Sequence, residues 1–204
     1  MKRALAVYFF ASIIPALLSL GCDKANDRET TTDKSAKLIK LRSSYRELSV
    51  KQIQSTPHVS LREKKEWGFW GYSTIKNDYE TKTVTDDKVV IDHATGLIWH
   101  QSGSSDTLKW SQTKGWLRDL NQRKYAGYDN WRLPTVEEAA SLLESSKQNE
   151  SLYIHAVFDK KQEWIWTGDS YDSRNSWSTD FSGGGVLTCN VEDGSYIRPV
   201  LSDN

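Results

Sequence analysis

The chain has two cysteines, four histidines and no excess of basic charge, and each shortage narrows its possible chemistry. Cys22 and Cys189 alone cannot form a disulfide framework. No Cys/His cluster has zinc-binding spacing. His58, His93, His100 and His155 form no His-Glu-x-x-His pair, and no glycine-rich phosphate loop carries its lysine. Lys+Arg and Asp+Glu stand at 27 each. A nucleic-acid binder would show a basic surplus or stripe, so nucleic acid is not an expected partner. No internal repeat is visible. At 204 residues the chain can hold one ordinary domain together with a targeting segment and a stalk.

The first residues have the pattern of an export signal. Lys2 and Arg3 form a charged start, and Ala4–Leu20 form an apolar stretch. Leu18-Ser-Leu-Gly-Cys22 follows and resembles a bacterial lipobox, in which the thiol is acylated and becomes the new N-terminus. Residues 1–21 are then a signal peptide, and Cys22 is a lipid anchor holding the protein at the bacterial cell envelope, facing the periplasm or exterior. Cleavage nearby, an uncleaved anchor helix and an inert Cys22 are the other readings. Asp23 resembles a signal for retention at the inner membrane. With Cys22 lipidated, Cys189 has no partner and reads as a buried small hydrophobe, with an intermolecular disulfide as the alternative.

Residues 22–65 read as a tether. Its first part is polar and rich in Thr, Lys, Asp and Ser. A short helix broken by Pro57 is expected near Leu48, Val50 and Ile53. The folded region is expected over 66–204, beginning with Trp67-Gly-Phe-Trp-Gly-Tyr72 as a packed loop. Val89-Val90-Ile91 and Leu97-Ile98-Trp99 flank the turn Asp92–Gly96 and predict a hairpin. Leu108–Tyr125 predicts a helix with Trp116, Leu117 and Leu120 inward. Thr135–Ser145 predicts a second helix. Thr135 stands three residues before Glu138, the spacing of a capping box. Leu152–Phe158 reads as a loop with apolar anchors. Strands are expected at Trp164–Thr167, Ser176–Phe181, Val186–Val191 and Tyr196–Leu201, with Gly183–Gly185 as a turn. Helices early and most strands late give an α+β order.

Several of these segments occur together in one known family. They are Val90–Trp99, Trp110 opening a helix, Ala126-Gly-Tyr-Asp-Asn-Trp-Arg-Leu-Pro-Thr135, Trp164–Thr167, Trp177–Phe181 with its glycines, and Tyr196-Ile-Arg-Pro-Val200. In this order, over roughly residues 66–204, they resemble the Lcl C-terminal domain family. Leu201 replaces the arginine that usually ends the last motif. The resemblance implies a C-type-lectin-like fold, with two helices flanking a mainly antiparallel sheet and a long loop region carrying the ligand surface. It also implies an exported or lipid-anchored bacterial protein that adheres to glycans. The related formylglycine-generating enzymes use cysteines that this chain lacks, so their activity is not implied.

The candidate binding surface is the segment Gly168–Trp177, between two expected strands, where binding residues tend to sit. Tyr171 and Trp177 offer rings on which a sugar can stack, and Asp169, Asp172, Arg174 and Asn175 offer polar contacts. The two carboxylates and the amide could also hold calcium, although no calcium motif fits. A polar solvated loop is the plainer reading. Asp92-His93 reads as a turn pair before it reads as an acid–base pair. Trp99, Trp131 and Trp166 read as core. Arg132 and Arg198 are expected in structural salt bridges, with sulfate or carboxylate recognition as the alternative. The expected function is a non-catalytic binding module without a cofactor, with an uncharacterised enzyme as the third reading. Its partner is expected to be a glycan or, alternatively, an envelope protein, with a metal left open.

Overall fold

The computed structural model describes residues 37–202. Its elements are α1 (Val50–Ile53), β1 (Val59–Lys65), β2 (Gly68–Ser73), β3 (Tyr79–Val84), β4 (Asp87–Asp92), β5 (Leu97–His100), α2 (Trp110–Gln122), a 3-10 turn at Tyr125–Gly127, α3 (Val136–Ala140), β6 (Trp164–Ser170), β7 (Asn175–Asp180), β8 (Gly185–Asn190) and β9 (Val200–Ser202). This is the expected α+β class. The strands form two antiparallel sheets, in the orders β1-β2-β8-β7-β6 and β3-β4-β5-β9. The signal peptide, Cys22 and most of the polar stretch lie outside the described residues.

The fold begins well before residue 66, which corrects the expected boundary. Ile39 N–H donates to Ala94 O, Leu48 N–H donates to Ser170 O, and β1 pairs with β2 along its length. Leu48 and Ile53 are core residues, with Leu41, Val50, Val59 and Leu61 packed beside them. They come from three different local structures, a loop, α1 and β1, so their spacing follows no single period. Ser49 and Gln52 form a capping box that starts α1, the short helix expected before Pro57.

Gly68–Ser73 is a strand, not the expected packed loop. Its glycines face backbone. A Cβ on Gly68 would stand 2.0 Å from Val186 O, and one on Gly71 would stand 2.7 Å from Ser60 O. Strands this close exclude any side chain at those positions, so the Gly/aromatic alternation is a β pattern.

The hairpin β4–β5 forms as expected. Asp92 is buried in its turn and accepts from Thr95 Oγ1 at 2.6 Å and from the amides of Ala94 and Asp78 at 3.1 Å. In α2, Leu120 is buried, while Trp116 and Leu117 pack at the edge of the core. The helix α3 carries the expected Thr135–Glu138 capping box but ends at Ala140. Asn77 Nδ2 binds Ser141 O, and Ser73 N–H binds Leu143 O, so carbonyls that would continue the helix are held by other segments.

The closing strand is also shorter than expected. Tyr196 pairs with Ile165 of β6, whereas Val200 pairs with Trp99 of β5. The chain therefore passes from one sheet to the other, and Pro199, with no N–H to donate, lies at the crossing. Phe69, Trp99, Val136, Leu142, Leu143, Ile165, Trp177, Phe181 and Val200 belong to one core cluster.

Candidate functional site

The hairpin β6–β7 carries all six candidate binding residues and sorts them by depth. Asp169 is fully buried. Its carboxylate accepts two bonds from the Arg42 guanidinium at 2.8 Å each, one from Arg46 N–H at 2.7 Å and one from Val136 N–H at 2.8 Å. It joins the N-terminal segment, β6 and the start of α3. Trp177 is fully buried as well, and its Nε1 donates to Leu48 O at 3.0 Å. Neither residue can meet a ligand in this fold, which corrects the expectation for both. The Ser/Asp alternation in β7 suggests an exposed face, yet Ser176, Ser178 and Asp180 are buried too.

Asp172 and Asn175 build the turn. The Asp172 carboxylate accepts from Arg174 N–H at 2.7 Å, Asn175 N–H at 2.8 Å and Asn175 Nδ2 at 3.0 Å. These bonds hold it below the usual carboxylate range. Tyr171 and Arg174 remain on the surface. Tyr171 is 38% exposed and stands edge-on to Trp177, with ring centres 5.7 Å apart.

A groove of about 460 Å³ lies beside this hairpin, lined by Tyr45, Trp110, Lys114, Leu117, Arg118, Leu133 and Gly168 among others. Its size is within the range of small-molecule sites, and its walls are mainly apolar. Both aromatic walls are fixed. Tyr45 Oη donates to Leu133 O at 2.9 Å, and Trp110 Nε1 donates to Thr167 O at 3.2 Å. Gly168 makes room for Tyr45, since a Cβ there would stand 2.1 Å from the ring. Partial burial pushes the Tyr45 phenol up.

Lys114 and Arg118 lie one turn apart on α2 and line the same groove. Arg118 touches Asp119 at 3.3 Å, and Lys114 has no ion pair among the described residues. The groove and the hairpin tip are neighbours. Trp110 N–H donates to Val191 O at 3.1 Å, and Val191 N–H donates to Arg174 O at 2.9 Å. Sequence reasoning missed Tyr45, because the segment carrying it read as a tether. It also missed the role of Trp110, which read only as a helix start.

The other reactive groups are placed structurally. His100 is buried and stacks on Tyr125 with ring centres 4.0 Å apart, and its Nδ1 accepts from Gly103 N–H. Burial and the nearby Arg198 and Arg123 charges pull its pKa to about 3, so it is neutral at pH 7. His93 is exposed and bonds Glu80 at 2.8 Å, while its neighbour Asp92 is in the turn. Burial pushes the Cys189 thiol up to about 11, consistent with an unreactive half-buried residue.

Arg132 forms the expected salt bridge, with two bonds to Glu138 at 2.7 Å. Arg198 does not. It is fully buried against the Phe158 ring and donates to the carbonyls of Gln101 and Asp159 and to Gln162 Oε1. Its stem-and-head geometry suits an acid, but the end of β5 and the 159–162 loop offer carbonyl and amide oxygens instead. Burial lowers its pKa to about 9. No group of three or more His, Cys, Asp or Glu among the described residues could hold a metal ion.

No curated protein matches the chain. The family model of the Lcl C-terminal domain matches residues 88–201, from β4 to β9 and more than half of the sequence. The chain belongs to the Lcl C-terminal domain family.

Proposed function

We propose that this protein is a non-catalytic binding module of the bacterial cell envelope that recognises a glycan in the groove between Tyr45 and Trp110. The observation that carries this reading is the pair of aromatic side chains, each held by a hydrogen bond to a carbonyl, on the walls of one open groove. Fixed aromatic faces accept a sugar ring without losing rotamer freedom on binding. Lys114 and Arg118 give the groove a cationic edge suited to a sulfate or carboxylate on that sugar. Tyr171 and Arg174 extend the surface at the hairpin tip. The pairing of β5 with β9, near the two ends of the family segment, supports a C-type-lectin-like arrangement. Cys22 is proposed as the lipidated N-terminus that holds the module at the membrane.

The test is a glycan array probed with residues 22–204 carrying Cys22→Ser, with and without calcium. Neutral and sulfated polysaccharides are both included. Saturable binding that is weakened in Tyr45→Ala and Lys114→Ala supports the reading. A clean negative from folded protein, with co-purification of an envelope protein, would replace it with a scaffold role.

A further inference from the structure

A second open cavity, of about 490 Å³, is lined by Thr107, Lys161, Glu163, Trp164, Gly194 and Tyr196 among others. Trp164 opens β6, and its ring belongs to none of the core clusters. The indoles of Trp110, Trp131, Trp166 and Trp177 donate to backbone carbonyls. The Trp164 N–H has no partner among the described residues, and it is not one of the buried groups lacking one, so it is open to solvent. A half-buried indole of this kind offers an apolar ring and an unused donor at one site.

Polar groups of both kinds surround that ring. Lys161 and Glu163 carry opposite charges, and neither forms an ion pair among the described residues. The Thr107 hydroxyl makes no hydrogen bond among them either. One cation, one anion, a hydroxyl and a flat ring together suit a ligand that is uncharged, polar and ring-shaped. A sugar residue meets each condition, because its ring stacks and its hydroxyls both donate and accept.

The cavity continues the groove. Trp164 and Trp166 point to one side of β6, as alternate strand residues do. Trp166 Nε1 donates to Leu108 O at 2.7 Å, and its ring clusters with Trp110 and Leu133, two walls of the groove. Residues 107–110 therefore cross β6 over Trp166, with Thr107 on the cavity and Trp110 on the groove. Along the strand, Trp164 of the cavity and Gly168 of the groove are about 13 Å apart. On the crest between them, Lys109 pairs with Glu192 at 2.7 Å. Both side chains are exposed, so the pair is weak and Lys109 can turn to an anionic sugar that passes over it.

We infer that the Trp164 cavity is a second sugar subsite, and that the protein binds an internal stretch of a glycan chain laid from the Tyr45–Trp110 groove across Lys109 to Trp164. The inference rests on the groove reading proposed above and goes beyond it, since one sugar residue would satisfy the groove alone. The charges differ along the path. Lys114 and Arg118 suit a sulfate or carboxylate at the groove, whereas Lys161 and Glu163 balance each other at the cavity. The ligand is therefore a chain that carries both charged and uncharged sugar residues.

Isotope-labelled residues 22–204 with Cys22→Ser are titrated with the disaccharide and the octasaccharide of chondroitin sulfate and of hyaluronan. Indole N–H signals are followed by NMR, and Kd is measured by calorimetry. The disaccharide is expected to shift Trp110 alone. An octasaccharide is expected to shift Trp110 and Trp164 together and to bind at least about tenfold more tightly. Trp164→Ala should remove most of that advantage and leave disaccharide binding unchanged, while Trp164→Phe, which keeps a ring, should retain most of it. Lys161→Ala should weaken the octasaccharide by about threefold. Lys161 is exposed, so this change spares the fold even if the loss of Trp164 does not. Tyr45→Ala should weaken both lengths. Octasaccharide binding that leaves Trp164 unshifted and survives the Trp164 and Lys161 changes overturns the inference and leaves the groove reading standing. Shifts at Trp164 without Trp110 overturn the groove reading and the continuous path with it. Absence of binding by both glycans at both lengths overturns the two together.

Discussion

Arg42 and Asp169, 127 residues apart in the chain, meet in a two-bond ion pair with both N–O distances at 2.8 Å. The pair fastens the N-terminal segment to β6, and it places Tyr45 over Gly168. The groove therefore depends on a segment outside the family match.

Breaking this pair should destabilise the fold strongly. Asp169→Ala removes the acceptor for Arg42 and for the amides of Arg46 and Val136. A loss of about 3–5 kcal/mol is expected, the range for breaking a buried pair from one side. Arg42→Ala should cost less, because water can reach the Arg42 side of the pair. Urea unfolding of both variants checks the order.

Gly168→Ala should push the Tyr45 ring away from β6, because the added Cβ would overlap it. A cost of about 1–3 kcal/mol is expected, as for other overpacked sites. In Tyr45→Ala the same glycine change should cost much less. A double-mutant cycle on urea midpoints measures the coupling, and additive costs would show that the two residues do not touch.

Stability should depend on His100 between about pH 3 and 6.5. Its folded pKa is lowered to about 3, so the unfolded chain binds the proton first as pH falls. The stability from this group is complete above pH 6.5 and is lost toward pH 3, by at most about 1.4 kcal/mol per pH unit. Glu137 and Glu144, raised by burial, act in the opposite direction in part of this window. The difference between wild type and His100→Gln isolates the histidine. Its urea midpoints from pH 7.5 to 4.5 should show a shallower decline in the variant.

Cys189 should react slowly with a thiol reagent at pH 8, because its thiol is raised to about 11 and half-buried. Adding urea above the unfolding midpoint should restore the rate of an ordinary cysteine. Fast reaction in the folded state would show that the site opens.

Local signals in the sequence carried the class and many elements. The β4–β5 hairpin, α2 and the α3 capping box follow from turn residues, apolar spacing and a Thr/Glu pair. The core roles of Trp99, Trp131 and Trp166 follow from their apolar neighbours. What depends on distant partners was not legible. Asp169 reads as a polar loop residue until Arg42 is placed against it. Trp177 reads as a ring open to a sugar until Leu48 O meets its indole. The Gly68 and Gly71 positions look like loop residues until the facing strands are known. Tyr45 reads as part of a tether because its contacts, Leu133 and Gly168, lie far along the chain.

The central claim is that a glycan enters the Tyr45–Trp110 groove, and the most direct measurement is an NMR titration of isotope-labelled residues 22–204, carrying Cys22→Ser, with the best array glycan. The account predicts saturable shifts of the Trp110 indole N–H and of the amides around Tyr45, Lys114 and Gly168, and loss of those shifts in Tyr45→Ala. Saturable shifts confined to another face, or none at all with every array glycan, would contradict it.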